Sequence, residues 1–208
     1  MLEKANQGLK RIQGRMLIAM PHMADPRFYK TTSAVLKHDA SGASAVIFNK
    51  ITRGLLFEQI CLDLGYKCIM QLRATPIYYG GPVNNTQVFV FHSNDYHDKD
   101  TMKVTDGIAV TSNKNLVQLI SEGNGPKKFK IAVGCAMWIP EQLDDELDGA
   151  WPRRGIISWL HDDLIADDVF STKDCWSEAI DDYSSSITND ILSYMEKEKD
   201  APKLPNKK

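Results

Sequence analysis

The five histidines are the side chains best suited to acid–base chemistry near neutral pH. They are His22, His38, His92, His97 and His161, and no pair has the HxxxH or HExxH spacing that brings two imidazoles to one metal ion. A metal site built from histidine is therefore not predicted. His92 and Ser93 end the apolar run VFVFHS and could donate hydrogen bonds to a ligand. A histidine that only completes the hydrogen bonding of a strand end is the commoner arrangement.

Cysteine is a nucleophile only where a base and a positive field lower the pKa of its thiol. Cys135 follows an apolar run and is a candidate nucleophile, with a buried structural cysteine as the alternative. No GxSxG, P-loop or GxGxxG motif occurs, which disfavours serine hydrolases and motif-based nucleotide binding. Cys61, Cys68, Cys135 and Cys175 have no CxxC or zinc-ligand spacing and predict free thiols in a reducing compartment.

A Trp-Ile-Pro corner joins an apolar strand pattern to an acidic helix in IAVGCAMWIPEQLDDELDGAW, residues 131–151. The helix carries five carboxylates, Glu141, Asp144, Asp145, Glu146 and Asp148. They could supply an acid–base pair or bind a divalent cation, but such a run is more typical of a solvated helix face. Trp138 and Trp151 flank the helix and are interpreted as core anchors. Three polar side chains stand just past a strand or at a helix start, where they would reach the mouth of a cleft: Asn49, Lys50 and Gln142.

Composition narrows the class of protein. The chain has 208 residues, of which 43% are hydrophobic and 25% charged, as in an ordinary globular protein with a sizeable core. The formal net charge is −2, so no global positive field would hold a nucleic acid or an anionic membrane. The compact basic cluster Lys127, Lys128 and Lys130 lacks interleaved aromatic residues and is interpreted as a solvated loop. No apolar run is long enough for a signal peptide or a membrane span, and a cytosolic protein is predicted.

The hydrophobic patterns predict alternating strands and short helices. Strands are predicted over 16–20, 33–38, 43–49, 77–79, 88–92, 108–111, 129–137 and 156–160. Helices are predicted over 1–14, 55–65, 114–122 with Ser112 as N-cap, 140–148, and from 175 onward, where Ser184–Ser186 could divide the last helix in two. A single helical turn is expected at Asp25-Pro26. The two glycines of Gly80-Gly81-Pro82 would allow close backbone approach.

Five segments together resemble the AlgH/YqgE family of bacterial proteins. They are AMPHMADPRF (19–28), GASAVIFNK (42–50), PIYYGGPV (76–83), FVFHS (89–93) and VGCAMWIPEQLDDEL (133–147) with Trp151. The resemblance runs from about Leu9 to the region of Trp176. It implies an α+β fold in which a bifurcated, mostly antiparallel sheet curls into a pseudo-barrel with helices packed around it. The predicted organisation is this domain over 1–173, a C-terminal helical extension over 174–196 and a disordered tail over 197–208.

The resemblance also extends to individual residues that match the family motifs. They are Pro21, Asp25, Pro26, Phe28, Asn49, Lys50, Gly80, Gly81, Pro82, His92, Ser93, Gly134, Trp138, Gln142, Leu143, Glu146 and Trp151. The chain departs from the family pattern at Cys135, Met137, Glu141, Ser44-Ala45 and Ile51. Met137 and Glu141 replace glycines of the pattern, and their larger side chains would narrow a cleft at the Trp138 corner.

The family is labelled as candidate transcriptional regulators, without an activity that would fix a mechanism. The prediction is a cytosolic, non-enzymatic regulatory protein that binds a small polar ligand or a protein partner, without direct DNA binding, metal or cofactor. The predicted ligand-binding residues are Asp25, Pro26, Phe28, Asn49, Lys50, Gly80, Gly81, Pro82, His92, Ser93, Trp138 and Gln142. Two alternatives stay open: a hydrolase that uses His92 or Cys135, and a direct DNA-binding regulator.

Overall fold

One branched β-sheet organises the molecule. The computed structural model describes residues 11–152 and 154–199, with side chains described as far as residue 189. The strands are β1 (Arg15–Ala19), β2 (Thr32–Asp39), β3 (Gly42–Ile47), β4 (Ile51–Leu56), β5 (Pro76–Tyr79), β6 (Val83–His92), β7 (Thr101–Thr105), β8 (Ile108–Thr111), β9 (Phe129–Trp138) and β10 (Trp159–Asp163). The helices are α1 (Phe57–Asp63), α2 (Lys114–Ser121), α3 (Gln142–Asp148), α4 (Ala166–Phe170) and α5 (Cys175–Lys199), with a 3-10 turn at Met70–Leu72.

The sheet divides at β9. Along one edge of β9, Ile131–Val133 pair in parallel with β5, and Ala136–Trp138 pair antiparallel with β3. The other edge pairs antiparallel with β6. The strand order is β10-β1-β2-β3-β9-β6-β8-β7, with β4 joined to β5. The predicted fold is confirmed: the sheet is bifurcated and mostly antiparallel, and it curls into a half-barrel with helices around it.

Glycines make the branch possible. Gly134 lies between the two halves of β9 at φ +85°, and a Cβ added to Gly80 would come within 2.1 Å of the Gly134 carbonyl oxygen. A Cβ on Gly81 would lie 2.2 Å from the carbonyl carbon of Cys135. The expected close approach at Gly80-Gly81 is therefore to the backbone of β9 itself.

Each branch of the sheet has its own hydrophobic core. The core beside β5, β6 and the first half of β9 contains Phe57 and Ile60 of α1 and Leu116 and Ile120 of α2. In the core beside β1, β2 and β3, the large side chains are Trp138 and Trp159, and the small ones are Ala19, Ala43, Ala45 and Ala136. The alanines leave the volume that the two indoles fill, as close packing requires.

The predicted elements differ from the observed ones mainly at sheet edges. Strands β4 and β7 and helix α4 were not predicted. Strand β4 (ITRGLL) is largely exposed and carries no alternating apolar pattern, and β7 (TMKVT) offers only two apolar residues, too few for a strand signal. The last strand begins at Trp159 rather than Ile156. The N-cap of α2 is Asn113, whose side chain accepts a hydrogen bond from the Leu116 N–H at 3.0 Å, and not Ser112.

The C-terminal part is a continuous helix. Ser184–Ser186 do not divide α5, and the Ser184 hydroxyl donates to the Ile180 carbonyl at 2.8 Å within the helix. Among the described residues, the chain divides into two compact units after Trp176. The predicted helical lead over 1–14 and the predicted tail over 197–208 lie largely outside the described residues. In the described part of the chain, no helix combines the length and the apolar character needed to cross a membrane.

Candidate functional site

The loop between β1 and β2, residues 20–31, forms the first wall of the site. Phe28 donates its backbone N–H to the Asp25 carbonyl at 3.0 Å, which closes the turn expected at this Asp-Pro. The Asp25 carboxylate accepts the backbone N–H of Arg27 at 2.9 Å and holds the Arg27 guanidinium at distances of 2.6–3.1 Å. The side-chain hydrogen bond from Arg27 is the main reason that the pKa of Asp25 is lowered.

Two of the predicted ligand-binding residues, Asn49 and Lys50, form hydrogen bonds to the backbone of the β1–β2 loop and its junction with β2. Asn49 accepts the Thr32 N–H at 2.9 Å and donates to the Lys30 carbonyl at 3.0 Å. The Lys50 ammonium donates to the Pro26 carbonyl at 2.8 Å. Since these bonds satisfy loop backbone groups, Asn49 and Lys50 position the wall of the site.

The opposite wall is the corner between β9 and α3. Gln142 begins α3 and accepts the Ile139 N–H through its side-chain oxygen at 3.3 Å. One turn later, Glu146 is 7% exposed. Its Oε2 accepts the indole N–H groups of Trp138 (3.0 Å) and Trp159 (2.6 Å), and its Oε1 accepts the Gln142 amide at 2.9 Å. Three N–H donors suit a carboxylate, which is an acceptor at both oxygens.

Aromatic rings connect the two walls. Phe28 lies 6.3 Å from Trp138 in a stacked arrangement and 5.4 Å from Trp159 in an edge-to-face arrangement, measured between ring centroids. Trp138 and Trp159 meet edge to face at 5.9 Å. Each pair falls within the favoured range for aromatic contacts, so the three rings pack as one cluster.

These walls enclose a cavity of about 480 Å³, here called the tryptophan cavity. It is lined by His22, Met23, Ala24, Asp25, Arg27, Phe28, Pro82, Val83, Met137, Trp138, Gln142, Glu146, Trp151, Pro152, Ile156, Ser158 and Trp159. Exposed apolar side chains stand at its mouth, among them Trp151 (51% exposed), Met137 and Ile156. Its size lies in the range of small-molecule sites.

Five of the twelve predicted ligand-binding residues line this cavity: Asp25, Phe28, Pro82, Trp138 and Gln142. The structure places the other seven elsewhere. Pro26 lies in the loop wall, Asn49 and Lys50 behind it, and Gly80 and Gly81 at the branch of the sheet.

His92 and Ser93 lie at the opposite end of β9 from the tryptophan cavity. His92 pairs with Phe129, the first residue of this ten-residue strand, whereas Trp138 is the last. At 3.3 Å per residue the two ends are roughly 30 Å apart. The His92 ring is fully buried, and its nitrogens contact Thr111 Oγ1 and the Ser93 carbonyl, both at 2.9 Å. Burial lowers the pKa of His92, which favours the neutral ring.

The surroundings of Cys135 and of the basic cluster do not favour a chemical role for either. Cys135 is buried, and its sulfur lies 3.9 Å from the amide nitrogen of Asn84. Burial raises the pKa of this thiol, which opposes a role as nucleophile. In the basic cluster, Lys130 is buried beneath the sheet surface, so Lys127 and Lys128 do not form a three-lysine patch with it. Among the described residues, no group of three or more His, Cys, Asp or Glu side chains is arranged to hold a metal ion.

Sequence reasoning missed the residues at the centre of the site. Glu146 was grouped with the solvated carboxylates of its helix, and Trp159 was treated as an ordinary strand residue. A signal was present: Glu146 follows Gln142 by four positions and Leu143 by three, so it shares the helix face of a buried leucine. That spacing distinguishes Glu146 from Asp145, which points elsewhere on the helix.

The chain belongs to the AlgH-like family (DUF179), whose model matches residues 16–187. A UPF0301 protein of Chromohalobacter salexigens is 36% identical over 143 residues, which are 67% of this chain and 76% of that protein. A UPF0301 protein of Bradyrhizobium diazoefficiens is 32% identical over 167 residues, 76% of this chain and 75% of that protein.

Solved structures share the architecture. The solution structure of the AlgH protein from Pseudomonas aeruginosa matches with a TM-score of 0.65 and 28% identity, covering 78% of this chain and 82% of that one. A crystal structure of a protein from Corynebacterium diphtheriae matches with a TM-score of 0.63 at 17% identity, covering 86% and 90% of the two chains. At that identity the second match shows the fold alone.

Proposed function

We propose that this chain is a cytosolic, non-enzymatic regulatory protein whose ligand occupies the tryptophan cavity. The observation that carries the proposal is the cavity itself, which has a volume of about 480 Å³, aromatic walls and a buried carboxylate. Small-molecule sites combine mostly apolar walls with a few fixed polar groups in this way. The sequence favoured a polar ligand, whereas the aromatic walls favour one with a substantial apolar surface.

The polar groups of the cavity favour binding over catalysis. Asp25 is held by Arg27, and Glu146 accepts three hydrogen bonds from its neighbours. Groups fixed in this way orient a ligand but are poorly placed to accept and release protons during a reaction. The hydrolase alternative loses support because His92 and Cys135 are both buried outside the cavity lining. A regulatory role without direct DNA contact is supported by the net charge of −2.

The test is a thermal-shift screen of cellular metabolites against the wild type and a variant with a blocked cavity. Ala24 is exposed and lines the cavity, so Ala24→Trp places an indole in the space that a ligand would use. Ala40, exposed in the β2–β3 turn, provides the matched control Ala40→Trp. A metabolite that binds in the tryptophan cavity is expected to raise the melting temperature of the wild type and of Ala40→Trp but not that of Ala24→Trp. Hits that stabilise all three proteins equally, or no hits at all, would contradict the proposal.

A protein segment is a second candidate ligand, favoured by the exposed apolar side chains beside the cavity mouth. Ile139 is 71% exposed next to Trp138, and Met137 and Trp151 are also exposed. Clustered apolar side chains on a surface mark protein interaction sites. A pull-down from a bacterial lysate with the wild type and Ile139→Glu would test this candidate. A specific partner is lost with Ile139→Glu, while metabolite binding inside the cavity is unchanged.

A further inference from the structure

We propose that the ligand of the tryptophan cavity carries a methylated ammonium group, because a buried carboxylate and a corner of aromatic rings face the same space. This inference rests on the proposed function and specifies the ligand class of the same site. The head group would be a small organic cation whose positive charge is spread over an apolar surface.

The charges around the cavity favour a cation. The guanidinium of Arg27 is neutralised by Asp25, which it contacts at 2.6 Å. Glu146, in contrast, has three neutral N–H donors as its contacts. No Lys, Arg or His among residues 11–152 and 154–189, whose side chains are described, forms an ion pair with it. A positively charged ligand would therefore supply the missing counter-charge, which a buried carboxylate needs more than an exposed one does.

The aromatic walls favour the same kind of ligand. Phe28, Trp138, Trp151 and Trp159 all line the cavity, and the indole N–H groups of Trp138 and Trp159 converge on Glu146. Aromatic faces carry negative electrostatic potential and attract cations, and aromatic cages are a known solution for quaternary ammonium groups. The structure already contains one such contact at this wall, since the Arg27 guanidinium carbon lies 5.8 Å from the centroid of Phe28.

Hydrogen-bonding capacity separates a methylated from a simple ammonium group. A primary ammonium brings three N–H donors that each need an acceptor. In this cavity the carboxylates already accept from Arg27, Gln142 and two indoles. Methylation replaces N–H donors with C–H surface, which the rings contact favourably. The cavity is larger than a trimethylammonium group, so the rest of the ligand lies toward Trp151 at the mouth.

The experiment compares choline with 3,3-dimethyl-1-butanol, which has the same shape but carbon in place of the charged nitrogen. Binding of each to the full chain is measured by isothermal titration calorimetry. Choline is expected to bind at least about tenfold more tightly, from the range of cation–π energies plus the Glu146 charge. Trp151→Leu, at a half-exposed rim position, should weaken choline binding roughly three- to thirtyfold. Tyr29→Leu is the control, because Tyr29 is similarly exposed but does not line the cavity.

The possible results separate this inference from the proposed function. Equal affinity for choline and its neutral analogue, or equal choline binding by wild type and Trp151→Leu, would overturn the ammonium assignment. Neutral metabolites that bind the wild type but not Ala24→Trp, together with no choline binding, would also overturn it and leave the cavity as a ligand site. If neither choline nor any screened metabolite binds in the cavity, both proposals are wrong.

Discussion

Replacing Lys130 by methionine should change how the stability of this protein depends on pH. Lys130 lies on β9 and is 8% exposed. Its ammonium donates to the carbonyls of Phe48 (3.2 Å) and Ser171 (3.4 Å) and lies 4.5 Å from the centroid of Tyr78. Burial lowers the pKa of Lys130 from 10.5 to about 8. The folded protein therefore releases this proton at a pH where the unfolded chain still holds it.

The size and sign of the effect follow from this difference in pKa. Between pH 8 and pH 10.5 the unfolded state binds more protons than the folded state at Lys130, so stability rises with pH in this window. Each pKa unit corresponds to about 1.4 kcal/mol. From pH 7 to pH 9.5 the Lys130 contribution to the free energy of unfolding should rise by about 2 kcal/mol. Below pH 8 this contribution is absent, because the cost of keeping a buried ammonium charged is then at its largest.

The assay is urea unfolding of the wild type and Lys130→Met at pH 7 and pH 9.5. Methionine has a similar length and no charge, and it leaves the Phe48 and Ser171 carbonyls without this donor at both pH values. Titrating groups that do not interact with Lys130 are present in both proteins and cancel in the comparison. Burial raises the pKa of Cys175 and the Lys130 charge lowers it, so both proteins carry Cys175→Ser to keep this thiol out of the comparison. The wild type should gain about 2 kcal/mol relative to the variant over this interval. Parallel pH profiles would refute the buried-lysine reasoning.

Three further substitutions test the site and the branch of the sheet. Glu146→Gln keeps the shape but places an NH₂ group against N–H donors, and it should lower the free energy of unfolding by about 2–4 kcal/mol in urea titrations. A loss below 1 kcal/mol would mean that the three hydrogen bonds are weak (~1 kcal/mol marks a typical single bond). Glu141 adopts φ +67°, a backbone conformation that glycine tolerates better than glutamate. Glu141→Gly should therefore leave the free energy of unfolding unchanged or raise it by up to about 1 kcal/mol. A clear loss of stability in calorimetric melting would contradict this. Gly81 and Gly65 both have positive φ, but only at Gly81 would an added Cβ meet backbone atoms. Gly81→Ala should therefore lower the free energy of unfolding by at least about 2 kcal/mol more than Gly65→Ala does. Equal melting temperatures of the two variants would count against the close approach to Cys135.

The sequence predicted those strands and helices whose residues form a local hydrophobic pattern. Buried strands such as β6 and β9 have continuous apolar runs, and α2 has its apolar side chains on one face. The edge strands β4 and β7 escaped prediction because β4 has no apolar alternation and β7 has only two apolar residues. The division of the sheet was expected only from the family resemblance, and its position at Gly134 was not predicted, since it depends on contacts between distant segments.

The site was only partly predictable for the same reason. Motif resemblance and polar residues at element ends led to Asp25, Trp138 and Gln142, which do line the cavity. They also led to His92, which lies at the opposite end of β9. Polar residues at strand ends look alike in sequence, and only the strand register shows which ends meet. The role of Glu146 required knowing that two indoles more than twenty positions apart turn their N–H groups toward one carboxylate.

The central claim, that the tryptophan cavity binds a ligand, can be tested most directly through the four tryptophan side chains. Each indole N–H gives a separate NMR signal in ¹⁵N-labelled protein. Trp138, Trp151 and Trp159 line the cavity, whereas Trp176 does not and donates its N–H to the Ala19 carbonyl at 2.7 Å. Titration with choline or a metabolite from the screen should shift the first three signals and leave that of Trp176 in place. Ligands that bind the protein without moving the three cavity signals, or that move only Trp176, would contradict the account.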